Sequence, residues 1–156
     1  MKLIADFGEI ALAEAGLLEL ECGRVDLATT AREATEDAAA PASSAGKRVT
    51  ADADGDAVVS GDVQRVRDAV GRLVRHAIRQ STPGATIELD AVADGIRLRY
   101  EAEAPPAGDA LPVAFATAIA RAHGGRLTVA FEGEVVTIDV VLRPLDGAVV
   151  RIGVAA

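Results

Sequence analysis

Tryptophan is absent and aromatic residues make up only 3% of the chain, so the protein offers no series of stacking platforms for unpaired bases. Its core has to be built from Val, Leu, Ile and Ala. Positive charge is also in deficit. The 24 Asp and Glu against 16 Lys and Arg leave a net charge of −8, which repels a phosphate backbone or an anionic lipid surface. No nucleic-acid partner is expected. A single cysteine, Cys22, excludes an internal disulfide or a cysteine-built zinc cage, and it reads as a small buried apolar residue in a reducing, cytoplasmic setting. No apolar run approaches the roughly 20 residues that cross a bilayer, so no membrane insertion is expected. Asp6 comes too early for a secretion signal. The 156 residues, 50% of them hydrophobic, suffice for one well-buried core and not for two ordinary domains.

What is present is periodicity broken by Gly, Pro and Asp-Gly signals. Ile4, Phe7, Ala11 and Ala15 recur at helical spacing before Gly16, which predicts a helix over 2–15. Leu18 and Leu20 alternate with Glu19 and Glu21 and predict a strand, interrupted at Gly23 and Arg24. Asp26 is placed to cap an Ala-rich helix that should fade near Pro41, leaving 41–46 as a connector. Strands over 49–53 and 57–60 flank the turn signal Asp54-Gly55-Asp56. Val63, Val66, Val70, Leu73, Val74, Ala77 and Ile78 then trace one face of the clearest helix, stopped by Thr82-Pro83-Gly84. A hairpin through Asp94-Gly95 joins Ile87, Leu89 and Ala91 to Ile96, Leu98 and Tyr100. After the loop at 102–109, a helix over 111–123 ends at Gly124-Gly125. Strands on either side of Gly133 follow, with a last short strand through Val150 and Ile152. Strands and helices intermingle without regular alternation. The class is α+β, a mixed β-sheet covered on one face by helices and preceded by a short helix.

Three stretches carry a family resemblance. They are Ala13 to Leu20 followed by Val25-Asp26-Leu27, then Gly61-Asp62 through Thr82-Pro83-Gly84, and Ala118 to Leu127. In this order and spacing they resemble the catalytic, ATP-binding domain of two-component sensor histidine kinases, the Bergerat or GHKL fold. The resemblance implies a histidine kinase-like ATPase domain over 17–156, preceded at 1–16 by a helix similar to the end of a dimerisation hairpin.

It also implies where nucleotide contacts should fall, and there the residues depart from the pattern. The family's Asn-x-x-x-Asn-Ala box, whose second asparagine helps hold magnesium, aligns with Arg72 and His76. Its Asp-x-Gly-x-Gly box, whose aspartate accepts a hydrogen bond from adenine, places Ala102 at the aspartate and Ala104 at the first glycine. The second glycine box falls on 110–114, which includes Pro112 and has no glycine, and the lid between the two boxes is reduced to 105–109. The implied domain is degenerate, without ATP or magnesium as cofactors, similar to histidine phosphotransferases that have lost ATP binding. Its expected partner is a response-regulator receiver domain or a histidine kinase, or a second copy bound through Ile4, Phe7 and Ala11. Two alternatives are a split-kinase subunit with weak ATP binding and a structural or dimerisation domain outside signalling.

The remaining candidates read as structural. His76, beside Ala77 on a helix, is a packing or surface residue, and His123 in a last helical turn caps carbonyls and favours the helix dipole. No His-Glu or His-Asp pair suggests a phosphoacceptor, and no arrangement suggests a nucleophile. Glu36, Asp37, Asp54 and Asp56 form a solvated acidic surface.

Overall fold

The computed structural model describes residues 2–53, 57–107 and 110–143, with side chains from residue 5 onward. Four helices, α1 (Lys2–Glu14), α2 (Leu27–Ser44), α3 (Val63–Gln80) and α4 (Leu111–Ala122), are interleaved with seven strands. The strands are β1 (Gly23–Asp26), β2 (Arg48–Asp52), β3 (Val58–Gly61), β4 (Thr86–Val92), β5 (Gly95–Glu101), β6 (Arg126–Glu132) and β7 (Val135–Val141).

Period-two alternation decides the main sheet. Its order is β2-β4-β5-β7-β6, with β2 parallel to β4 and every other pair antiparallel. The register aligns Ala51, Leu89, Leu98, Ile138 and Val129 in one apolar row across all five strands. Tyr100, Val136 and Phe131 form a parallel row. On the opposite face Arg97 sits across from Asp139 and pairs with it at 2.8 Å. The helices cover the apolar face, as expected. Val66, Val70, Leu73, Val74 and Ile78 of α3 are buried in one core with Ile87, Leu89, Ile96 and Leu98. α2 adds Leu27, Ala31, Ala34, Ala38 and Ala42 at helical spacing. The small alanines let α2 lie close to its neighbours.

Helix ends follow local chemistry. Asp26 and Asp62 cap α2 and α3, accepting from the N–H groups of Thr29 at 3.1 Å and Arg65 at 3.2 Å. Gly46 and Gly124, at φ +72° and +76°, adopt the left-handed conformation that closes α2 and α4. Lys47 N–H then bonds Ala42 C=O at 2.8 Å, and Gly125 N–H bonds Ala120 C=O at 2.9 Å.

Four expectations need correction. The segment 17–22 is not a strand; β1 lies at Gly23–Asp26, where Val25 is buried and faces Val59 of β3. Leu18 and Leu20 are half-buried, while the Glu21 N–H is taken by the Asp62 carboxylate rather than by a strand neighbour. α2 does not stop at Pro41 but runs a further turn to Ser44. Proline removes one hydrogen bond there, yet burial of Ala38 and Ala42 and the terminal bonds at Gly46 hold the last turn. β2 and β3 do not pair with each other, since β3 joins β1 in a separate two-stranded antiparallel sheet. Cys22 is exposed, on the irregular segment before β1. The turn at 54–56 and the strand through Val150 and Ile152 lie outside the described residues.

Candidate functional site

α3 and α4 carry most of the positions singled out above, and a buried polar hub fixes one against the other. His123, the C-cap of α4, has Nδ1 2.7 Å from the Ile119 carbonyl, while its Nε2 accepts the Asp62 N–H at 2.9 Å. Nε2 accepts only as a lone pair, so the imidazole is the neutral Nδ1–H tautomer. Asp62 in turn caps α3 and holds the segment before β1 through the Glu21 N–H at 3.0 Å. Space is tight here. A Cβ on Gly61 would meet His123 Cδ2 at 2.8 Å.

Arg72 lies nearly three turns beyond Asp62 along α3. Its guanidinium sits over the Phe115 ring of α4, 4.1 Å from the centroid. Both terminal nitrogens bond Asp6 of α1, at 2.6 and 2.8 Å, and Nε bonds Asp68 at 3.0 Å. The Arg72 and Asp6 side chains are 12% and 8% exposed, so the bidentate pair is shielded from water. These carboxylates hold Arg72 well above the ordinary arginine range. One turn on, His76 is buried and its Nε2 has no hydrogen-bond partner. Burial, reinforced by the charge of Arg79, pushes its pKa down and favours the neutral ring.

The other positions spread apart. Ala102, just beyond β5, is buried and donates its N–H to the Glu134 carbonyl at 2.9 Å, whereas Ala104 is exposed. Pro112 stands in the first turn of α4, whose N-cap, Ala110, has no side chain to bond the free amides. The structure brings Arg72 and Pro112 to one recess of about 160 Å³ together with Arg75, Arg79 and Leu111. His76, Ala102 and Ala104 do not line it. A larger cavity of about 640 Å³ lies between α1, α2 and α3, and it contains none of the five positions.

The expected association stripe is turned outward. Phe7 is 58% exposed and Ala11 is exposed, while the Ile4 side chain lies outside those described. α1 instead packs along α4 with its charged side inward, Asp6 on Arg72 and Glu9 on Arg65 at 2.9 Å. Apolar periodicity missed Asp6 and Glu9. Their i,i+3 spacing opposite Phe7 and Ala11 was the available signal, and their arginine partners lie 66 and 56 residues away. Phe115, Arg75 and Arg79 were likewise not read from spacing.

Strand order, helix placement and the α3–α4 pair define the fold of histidine kinase ATP-binding domains. The histidine kinase AdeS of Acinetobacter baumannii is 22% identical, with a TM-score of 0.69 over 90% of this chain and 77% of that one. The cytoplasmic segment of the histidine kinase QseC gives 17% identity and a TM-score of 0.69, with 87% of each chain covered. The ATP-binding domain of PrrB from Mycobacterium tuberculosis gives 15% and 0.63, over 81% of this chain and 99% of that one. No protein-family model and no curated protein matches the sequence.

Proposed function

We propose that the domain is a non-catalytic, histidine kinase-like module of two-component phosphorelay signalling that binds a protein partner and not ATP. The observation that carries this reading is the occupation of Arg72. It stands where the resemblance implies an asparagine, and its donors are spent on Asp6 and Asp68. The rest of the donor set agrees. Magnesium selects hard oxygen ligands, and Arg72, His76, Ala102, Ala104 and Pro112 have no side-chain oxygen among them. Ala102 has no side-chain oxygen to accept the hydrogen bond that the adenine amino group donates to an aspartate. The partner is a response-regulator receiver domain or a histidine kinase, with the outward strip of Phe7, Ala11 and Leu12 also able to take a second copy. No described helix is long and apolar enough to cross a membrane.

Calorimetric titration with magnesium-ATP tests this. The expected dissociation constant is weaker than about 1 mM, and tighter, magnesium-dependent binding sinks the reading. One observation favours the alternative of a split-kinase subunit with weak nucleotide binding. Arg75 and Arg79, both exposed, line the recess beside the uncapped end of α4, where an anion would be attracted. The same titration separates the two.

A further inference from the structure

α3 carries five arginines, and the chain neutralises them unequally. Arg67 pairs with Glu33 of α2 at 2.9 Å, and Arg65 and Arg72 are taken by Glu9 and Asp6 of α1. Arg75 and Arg79 have no carboxylate partner among the described residues. Beneath α1, α3 presents Arg65 and Arg72, each also held by a carboxylate close by in sequence, Asp62 at 3.6 Å and Asp68 at 3.0 Å, with the Phe115 ring backing Arg72. α1 meets them with two carboxylates three residues apart, followed by Ile10, which packs against the core. The pairing order reverses, with Asp6 on Arg72 and Glu9 on Arg65. Carboxylates about 4.5 Å apart along one helix thus reach guanidinia rooted about 10.5 Å apart on the other, a gap that long arginine side chains close. Such an arrangement inverts the usual amphipathic rule, since the charged side of α1 faces the protein and its apolar side faces water.

We propose that the α3–α4 face is a docking site for an acidic helix, occupied in this structure by α1 of the same chain and open to a partner helix with two carboxylates at i,i+3 spacing. The site recognises charge geometry and an adjoining apolar residue, so a matching segment of another protein competes with α1 for Arg65 and Arg72. A helix of 13 residues is marginal alone in water, so α1 stays helical while docked and loses structure when displaced. The site stands whether or not the domain takes nucleotide.

Hydrogen exchange on the full chain tests the cis contact. In the Asp6→Asn/Glu9→Gln and Arg72→Gln variants, amides of α1 are expected to exchange at least about tenfold faster, while those of β4, β5 and β7 keep their rates. A labelled peptide of residues 1–16 tests recognition in trans. It should bind the full-length Asp6→Asn/Glu9→Gln variant at least about tenfold more tightly than the same peptide carrying Asp6→Asn and Glu9→Gln. Unchanged α1 exchange in these variants overturns the proposal. Equal binding of the two peptides, or binding of neither, overturns it as well.

Discussion

Replacing Asp62 by alanine should loosen the hub that sets α3 against α4. Asp62 caps α3 through Arg65 N–H, holds Glu21 N–H through Oδ2 and lies 3.6 Å from Arg65 Nε, while its own N–H goes to His123. Alanine removes the first three and keeps the fourth. Loss of the cap costs about 1 kcal/mol. The part-buried Glu21 N–H, left without its acceptor, adds about 1 kcal/mol. The Arg65 pair, with that arginine 27% exposed, contributes at most about 0.5 kcal/mol after solvent screening. Removing one negative charge from a chain of net −8 relieves some repulsion and works in the opposite direction. The expected net loss is about 2 kcal/mol, read as a lower urea midpoint with an unchanged m-value. Asp62→Ser restores a capping oxygen without reaching Glu21, so it should recover about half. A loss below about 0.5 kcal/mol for Asp62→Ala refutes the hub, and so does a serine variant no better than alanine.

Two further perturbations probe buried polar groups. Tyr100 is buried in β5 with its hydroxyl unpartnered, and burial pushes its pKa up to about 12. Tyr100→Phe deletes a desolvated group that bonds nothing, so denaturation should show stability unchanged or raised by up to about 1 kcal/mol, and a loss of that size would reveal a partner. His76 is held neutral by burial and by Arg79, whereas the unfolded chain protonates it near its ordinary pKa of about 6.5. Below that pH the unfolded state binds the extra proton, so stability declines as pH falls from about 6.5 toward the lower native value. His76→Gln should flatten this part of the stability curve between pH 7.5 and 5.5, and a slope equal to that of the unaltered protein would remove His76 from the account.

Much of the fold was legible because its signals are local. The stripe from Val66 to Ile78, the Asp94-Gly95 hairpin and the Gly124 stop each depend on residues a few positions apart, and all stand where spacing put them. What failed depends on distant partners. The pattern around residues 54–56 suggests a hairpin, but whether β2 meets β3 is settled by β4 and β1 competing for their edges. Periodicity shows α1 to be two-sided without saying which side turns inward. That choice goes with Arg72 and Arg65 on α3, which pair with Asp6 and Glu9, the first pair largely shielded from water and the second partly exposed. His123 was read as a helix cap, which it is, but its second bond to Asp62 spans 61 residues and carries no sequence signature.

Failure to bind ATP would have two separable causes in this chain. One is composition, the missing oxygen ligands and the alanine at the adenine anchor. The other is coverage, with α1 seated on Arg72 beside the recess of Arg75, Arg79 and Pro112. The Asp6→Asn/Glu9→Gln variant loosens the cover and leaves the composition alone, so a magnesium-ATP titration of that variant discriminates between them. If composition governs, the affinity stays weaker than about 1 mM once α1 is released, because no group has been added to bind magnesium or adenine. Binding tighter than that in the variant, and not in the unaltered chain, would make α1 the obstacle. The domain would then be a nucleotide binder gated by its own helix, and the assignment of Ala102 and His76 as the cause would fall.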